Sequence, residues 1–226
     1  MQIIKYARDV GTKFNENGNI KTFTGNTVIC NVNPKSKTYK VLCTTKEMLA
    51  NMIDKYKYTF LPESSYHMTV IEGVCNAIRK KEYWTNLLPL DTNLEVLDDF
   101  FEKQYKDIEI PESFSMNYNG FEIGDVIIVK LVPNSNKDFI KIKKFRDAVS
   151  KKFGLRFPNH NNYLFHITLA YNIIKEDKDN KKKIDYIRQR VHNYLKDNFG
   201  IFKTSSPELM FFNNMFEFTK SRGIQK

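Results

Sequence analysis

What this chain has little of narrows it first. Its 226 residues include 3 cysteines, Cys30, Cys43 and Cys75, and no C-x-x-C pair. That argues against a disulfide-stapled scaffold or a cysteine-built metal site, and for reduced thiols in a cytoplasmic compartment. Cys30 and Cys43 flank what reads as a hairpin, close enough in that reading to approach. No apolar run reaches the length of a bilayer span, and the opening "MQIIKYARDVGTKF" has no apolar signal core, so no membrane partner is expected. With 9 Gly and 7 Pro there is no low-complexity segment and no long linker. No H-E-x-x-H and no Asp/Glu/His cluster appears, so no metal and no other cofactor is expected, and activity should persist in chelator. Glu72 follows His67 at five residues, which on a regular strand puts it on the opposite face.

What is present reads as a soluble globular protein, one large domain or two small lobes, with 41% hydrophobic and 27% charged residues. Lys and Arg number 36 against 26 Asp and Glu, a net charge of +10. That balance suits an anionic partner such as nucleic acid or a phosphorylated ligand, and equally suits solubility. The run "KEDKDNKKK" at 175–183 mixes both signs and reads as a solvated loop entering a helix.

The first half opens with a strand, "GNTVICNV" at 25–32, and "TYKVLC" at 38–43 reads as its hairpin partner. Thr44 and Glu47 form a capping box for a helix with Met48, Leu49, Met52, Ile53 and Tyr56 at helical spacing. "YHMTVIEGV" at 66–74 is strand-like. "AIRKKEYWTNLL" reads as a short helix, with Trp84 packed between helices. A second capping box, Thr92 and Glu95, starts another helix. The second half runs from a strand at 113–124 to a central strand, "DVIIVKLV", at 125–132. A helix closed by Gly154 follows, then the strand "YLFHITLAYN", a helix over 182–198 and a hairpin turning on Asn213-Asn214. Asn26 precedes His67 by the same interval as Asp125 precedes His166, which suggests two similar lobes, about 20–110 and 111–226.

Two of only 4 histidines stand in matching contexts, "YHMTV" and "FHITL", 99 residues apart (166 − 67). On a strand, residues i and i+2 share a face, so His67 projects with Thr69 and His166 with Thr168, while the intervening residues anchor the core. If the lobes face each other, two His-Thr pairs line one groove. One imidazole can take a proton while the other gives one, since the unperturbed pKa is about 6.5. Each threonine hydroxyl can donate to a phosphate oxygen as charge builds there. A single H-x-T is a weak signal; a matched pair is much stronger.

These motifs resemble those of the 2H phosphoesterase superfamily, the LigT-like and cyclic-phosphodiesterase-like proteins, and "GNTVIC" and "FFNNMFEF" resemble an uncharacterised branch of it. The resemblance implies an α+β, bilobal fold with pseudo-twofold-related lobes, mainly antiparallel sheets flanked by helices, and a central cleft. It implies catalytic His67 and His166, phosphate contacts from Thr69 and Thr168, and a metal-independent phosphodiesterase. Its substrates would be ribose-linked phosphodiesters: 2′,3′-cyclic phosphates, 2′-5′ linkages such as oligoadenylate, RNA ends or cyclic (di)nucleotides. The N-terminal stretch "KFNENGNIKTFTGN" is an extension that simpler members lack.

Further candidates for substrate binding are Tyr171 and Tyr163 as base-stacking rings, Phe23, Asn26 and Thr27 as cleft walls, and Arg156 as a phosphate clamp. Each has a structural alternative: core packing, strand capping or surface charge. His160 reads as a surface residue and His192 as a core-edge one. The alternative functions are a non-catalytic RNA- or nucleotide-binding module using the same basic cleft, and an interaction protein with buried histidines. A monomer is expected.

Overall fold

The computed structural model describes residues 4–221; the opening Met1, Gln2 and Ile3 lie outside them. In chain order the elements are β1 (Gly25–Asn31), α1 (Lys37–Met52), β2 (Tyr58–Phe60), β3 (His67–Cys75), α2 (Leu94–Lys106), β4 (Ser115–Ile123) and β5 (Val126–Pro133). Then come α3 (Asn136–Phe153), β6 (His166–Asn172), α4 (Lys181–Asn198), β7 (Ile201–Lys203), β8 (Glu208–Asn214) and β9 (Glu217–Thr219). The strands form one sheet in the order β7-β4-β5-β6-β3-β1-β8-β9, with β2 added to β6. Every pairing is antiparallel. Among the described residues no helix is long and apolar enough to cross a membrane.

The segment 38–43 is helix, not a hairpin strand. Ser36 is the N-cap, its hydroxyl accepting from Tyr39 N, and Thr38, Val41, Leu42, Thr45 and Leu49 form the buried stripe of α1. The β-branched and aromatic residues of "TYKVLC" suggested a strand, but burial of that stripe outweighs local propensity. Cys43 therefore sits on α1, and all three cysteines are free. The expected helix at 77–88 holds only a 3₁₀ turn, Lys81–Tyr83, because Arg79 pins the loop by donating to the carbonyls of Leu90 and Thr92. Trp84 is buried beneath Arg79, whose guanidinium lies 4.7 Å from the ring. Helix α2 starts after Asn93 without a side-chain cap. The last hairpin pairs Asn214 with Glu217, so it turns on Met215 and Phe216. Helix α3 ends as expected on Gly154, at φ 62°.

The offset of 99 residues extends far beyond the histidines. The N-caps are Ser36 and Ser135, each accepting from the amide three residues on. In β1·β3 the pairs are Asn31↔His67, Ile29↔Thr69 and Val28↔Ile71; in β5·β6 they are Lys130↔His166, Ile128↔Thr168 and Ile127↔Ala170. Both ladders skip one residue at the same place, so Val70 and Leu169 are matching bulges immediately after the two threonines. The two motif strands, β3 and β6, share one residue pair, Met68↔Ile167, which are themselves equivalent positions. A pseudo-twofold axis must pass through such a self-paired position. Strand, helix and strand of each half thus repeat as one unit.

The helices contact one side of this sheet. Asn26 reaches Asp98 of α2, Tyr118 reaches His192 of α4, Tyr66 meets Tyr39 of α1, and Phe165 faces Arg146 of α3. By strand alternation these residues lie opposite the motif side chains. The helix-bearing side buries Met68 and Ile167 completely.

Candidate active site

Alternation around the axis decides what faces the cleft. His67, Thr69, His166 and Thr168 are all partly exposed, while Met68, Val70, Ile167 and Leu169 are buried. The two imidazoles are held alike. His67 Nδ1 lies 2.7 Å from the Ser65 carbonyl and His166 Nδ1 lies 2.8 Å from the Leu164 carbonyl, two residues back in each case. A carbonyl oxygen only accepts, so each Nδ1 carries the proton and donates it. Each Nε2 is then free to take a proton when the ring is neutral and to give one when it is charged.

The two environments differ. The edge of Phe218 packs on His67 with ring centroids 4.4 Å apart, whereas His166 stacks loosely on Tyr163 at 6.5 Å. Burial, together with the charge of His166, pulls the His67 pKa down to about 4, against the opposing pull of the Ser65 carbonyl. His67 is therefore neutral at neutral pH. Phe218→Ala would admit water to this ring. Followed by NMR, the titration of His67 is expected near pH 4 and should move up toward the ordinary ~6.5 in the variant. A titration that stays in place in Phe218→Ala would show that burial is not what sets it.

The other expected residues are placed unevenly. Asn26 does not wall the cleft. It is buried on the helix side, donating to Asp98 at 3.1 Å and accepting from Val74 N. Thr27 lies on the motif side, bonded to the Ile71 carbonyl. Tyr171 is opposite Val126, which shares the side of Ile128 and Lys130, so the bulge at Leu169 returns it to the motif side. The strand continues past it, and its ring is buried against Phe14 at 4.9 Å. Lys13 lies over both Tyr171 (4.9 Å) and Phe23 (5.4 Å) and pairs with Asp9 at 3.1 Å, so the N-terminal extension covers this end of the cleft. Tyr163 adjoins Thr69, and the Arg146 guanidinium lies 4.5 Å from its ring. Arg156 is exposed and bonds Asn161 and Asp147, apart from the motif side chains. His160 is buried, not a surface residue, with Nε2 2.9 Å from Asp147. The bulges also return Glu72 to the side of Thr27, where it accepts from Asn159. Among the described residues no group of three or more His, Cys, Asp or Glu side chains is set to hold a metal ion.

Sequence reasoning missed Asn31 and Lys130, which sit directly across from His67 and His166. The constant offset would have found both. It also missed Phe218 and Arg146.

The fold and the mirrored histidines define an α+β protein with one imidazole per repeat at a shared axis. Residues 13–127 match the 2H-phosphodiest family model, described as a domain of unknown function (DUF1868), and the chain belongs to that family, within the 2H phosphoesterase superfamily. No curated protein matches. Among solved structures the chain is similar to a conserved protein of unknown function, ATU0111 from Agrobacterium tumefaciens str. C58. Their identity is 26% over 96% of this chain and 92% of that one, with a TM-score of 0.88. More distant likenesses include E. coli LigT complexed with phosphate (8% identity, 89% and 96% covered, TM-score 0.46). Kluyveromyces marxianus Usb1 with uridine monophosphate is similar at 14% identity, with 86% and 95% covered and a TM-score of 0.45.

Proposed function

We propose that this protein is a metal-independent phosphodiesterase that cleaves a ribose-linked phosphodiester by paired acid–base catalysis at His67 and His166. The observation that carries this reading is the mirrored anchoring of the two rings, Nδ1 to a backbone carbonyl and Nε2 free, across the Met68↔Ile167 axis. The neutral His67 Nε2 takes the proton of the attacking water or vicinal hydroxyl. The new P–O bond forms as the bond between phosphorus and the leaving ribose oxygen breaks. Protonated His166 gives its Nε2 proton to the departing oxygen. Thr69 and Thr168 donate to the non-bridging oxygens, where negative charge grows. From a 2′,3′-cyclic phosphate with water the product is a phosphomonoester. The net charge of +10 favours the anionic substrate.

The direct test is turnover, with EDTA present, of 2′,3′-cyclic mononucleotides, 2′-5′ and 3′-5′ oligoadenylates and cyclic dinucleotides. Turnover of one class is expected. Complete inertness, with a ligand-induced rise in melting temperature for the same compounds, would instead identify a nucleotide-binding module. Activity lost in EDTA and restored by a divalent ion would overturn the metal-free scheme.

A further inference from the structure

The strands bearing the two motifs share only the pair Met68↔Ile167, so the backbone ladder alone does not fix their separation. On either side of that pair the strands need another brace. On one side the brace is backbone: β2 pairs with β6, and Leu61 N donates to the carbonyl of Leu169, the bulge residue of the second motif, at 2.9 Å. The equivalent bulge carbonyl in the first motif belongs to Val70. Among the described residues no strand of the second half reaches it. Its donor is the guanidinium of Arg146, which also donates to the His160 carbonyl at 2.8 Å. The position equivalent to Arg146 in the first half is Glu47 (146 − 99), so this brace has no symmetry mate.

We propose that Arg146 is a positioning residue for the reaction, replacing a missing strand and fixing the gap between the two motif histidines. This inference rests on the catalytic reading above. Arg146 is 5% exposed, and among the described residues no carboxylate lies within ion-pairing distance of its guanidinium; Glu72 and Asp147 act on it only from farther off, and two carbonyls and the faces of Tyr163 and Phe165 hold it. Burying an unpaired guanidinium is costly, and for the fold alone an apolar side chain would fill the space more cheaply. The charge earns its place by its fork, which grips one carbonyl from each flank of the gap. Tyr163, clamped above it, adjoins Thr69 and stacks on His166, so it couples the brace to both motifs.

The test uses Arg146→Met, Arg146→Lys and Tyr163→Phe in the full chain. Arg146→Met should lower kcat by about 100-fold with KM little changed, as an ångström-scale misplacement does. Arg146→Lys should recover only part of this, because it keeps the charge and loses the fork. If Arg146 acts through the Tyr163 hydroxyl beside Thr69, the Arg146→Met loss should shrink in a Tyr163→Phe background. Should Arg146→Met not fold, Arg146→Lys and Tyr163→Phe still decide. A second readout does not depend on turnover: the titration of both histidine rings followed by NMR in each folded variant. The two rings influence each other through space, and a wider gap weakens that mutual effect. An unchanged titration together with unchanged kcat in the folded variants would overturn the proposal while leaving the two-histidine reaction intact. No turnover by the wild type would instead overturn the reaction, and the titration would still report on the brace.

Discussion

His67→Ala is expected to lower kcat/KM by about 10²–10⁴-fold, and His166→Ala by a similar factor. In energy each loss is on the order of 3–5 kcal/mol of barrier stabilisation. The two losses should not add. Base and acid serve one displacement, so the double variant should be little worse than the poorer single one. Folding should survive, because both rings are partly exposed and each gives up only one bond to a carbonyl two residues away. For His67 the fold already disfavours the charged ring, so no buried ion pair is lost. Steady-state kinetics on the best substrate, beside melting curves, check this. Full turnover in either alanine variant would end the two-histidine mechanism. His67→Gln separates roles further: it keeps a polar group and removes the titrating nitrogen, so it should be as poor as alanine.

The fold was legible where one physical signal dominated. The run "DVIIVKLV" became the central strand β5, and the helix closed by Gly154 became α3, which buries Ile142, Phe145, Val149 and Phe153 at helical spacing. Only the second half of α1 was legible, from Thr44 on; its first half was not, because Thr38, Tyr39 and Val41 favour strands locally and only the packed sheet reveals which stripe is buried. The repeat was half legible: the matched offsets of Asn26 and Asp125 to their histidines reflect one constant interval, which the misread hairpin obscured. The faces of residues past the motifs were out of reach. A bulge depends on the register of a neighbouring strand, and one extra residue reverses which side each later side chain takes. That is why Tyr171 and Glu72 lie on the motif side despite their parity. Arg146 carried no motif because its role is to stand where a strand is missing.

Phe14→Ala is expected to destabilise the protein by about 3–5 kcal/mol, the usual cost of deleting a buried phenyl ring. Against a typical domain stability of about 5–15 kcal/mol that is a large fraction. The sequence presents this stretch as an extension, and it lies outside the 99-residue repeat. In the fold it is bound in. Ala7 N donates to Ile173 O and Lys175 N to Lys5 O, Thr59 donates to the Gly18 carbonyl, and Phe23 N reaches Asn213 O. Phe14 is fully buried against Tyr171 and Phe216. The segment therefore ties the end of β6 to the end of β8 over one end of the motif side. Urea unfolding should show a single transition with its midpoint shifted and its slope unchanged. Ile20→Ala, at a position 37% exposed, should shift it by no more than about 0.5 kcal/mol. A Phe14→Ala midpoint equal to wild type would make the segment a loosely attached arm. In the expected case the segment belongs to the cooperative unit, and the groove has one end closed by Lys13, Phe14 and Tyr171. Substrate then enters along the remaining length, and the two ends of a bound molecule meet different surroundings despite the symmetry of the histidines.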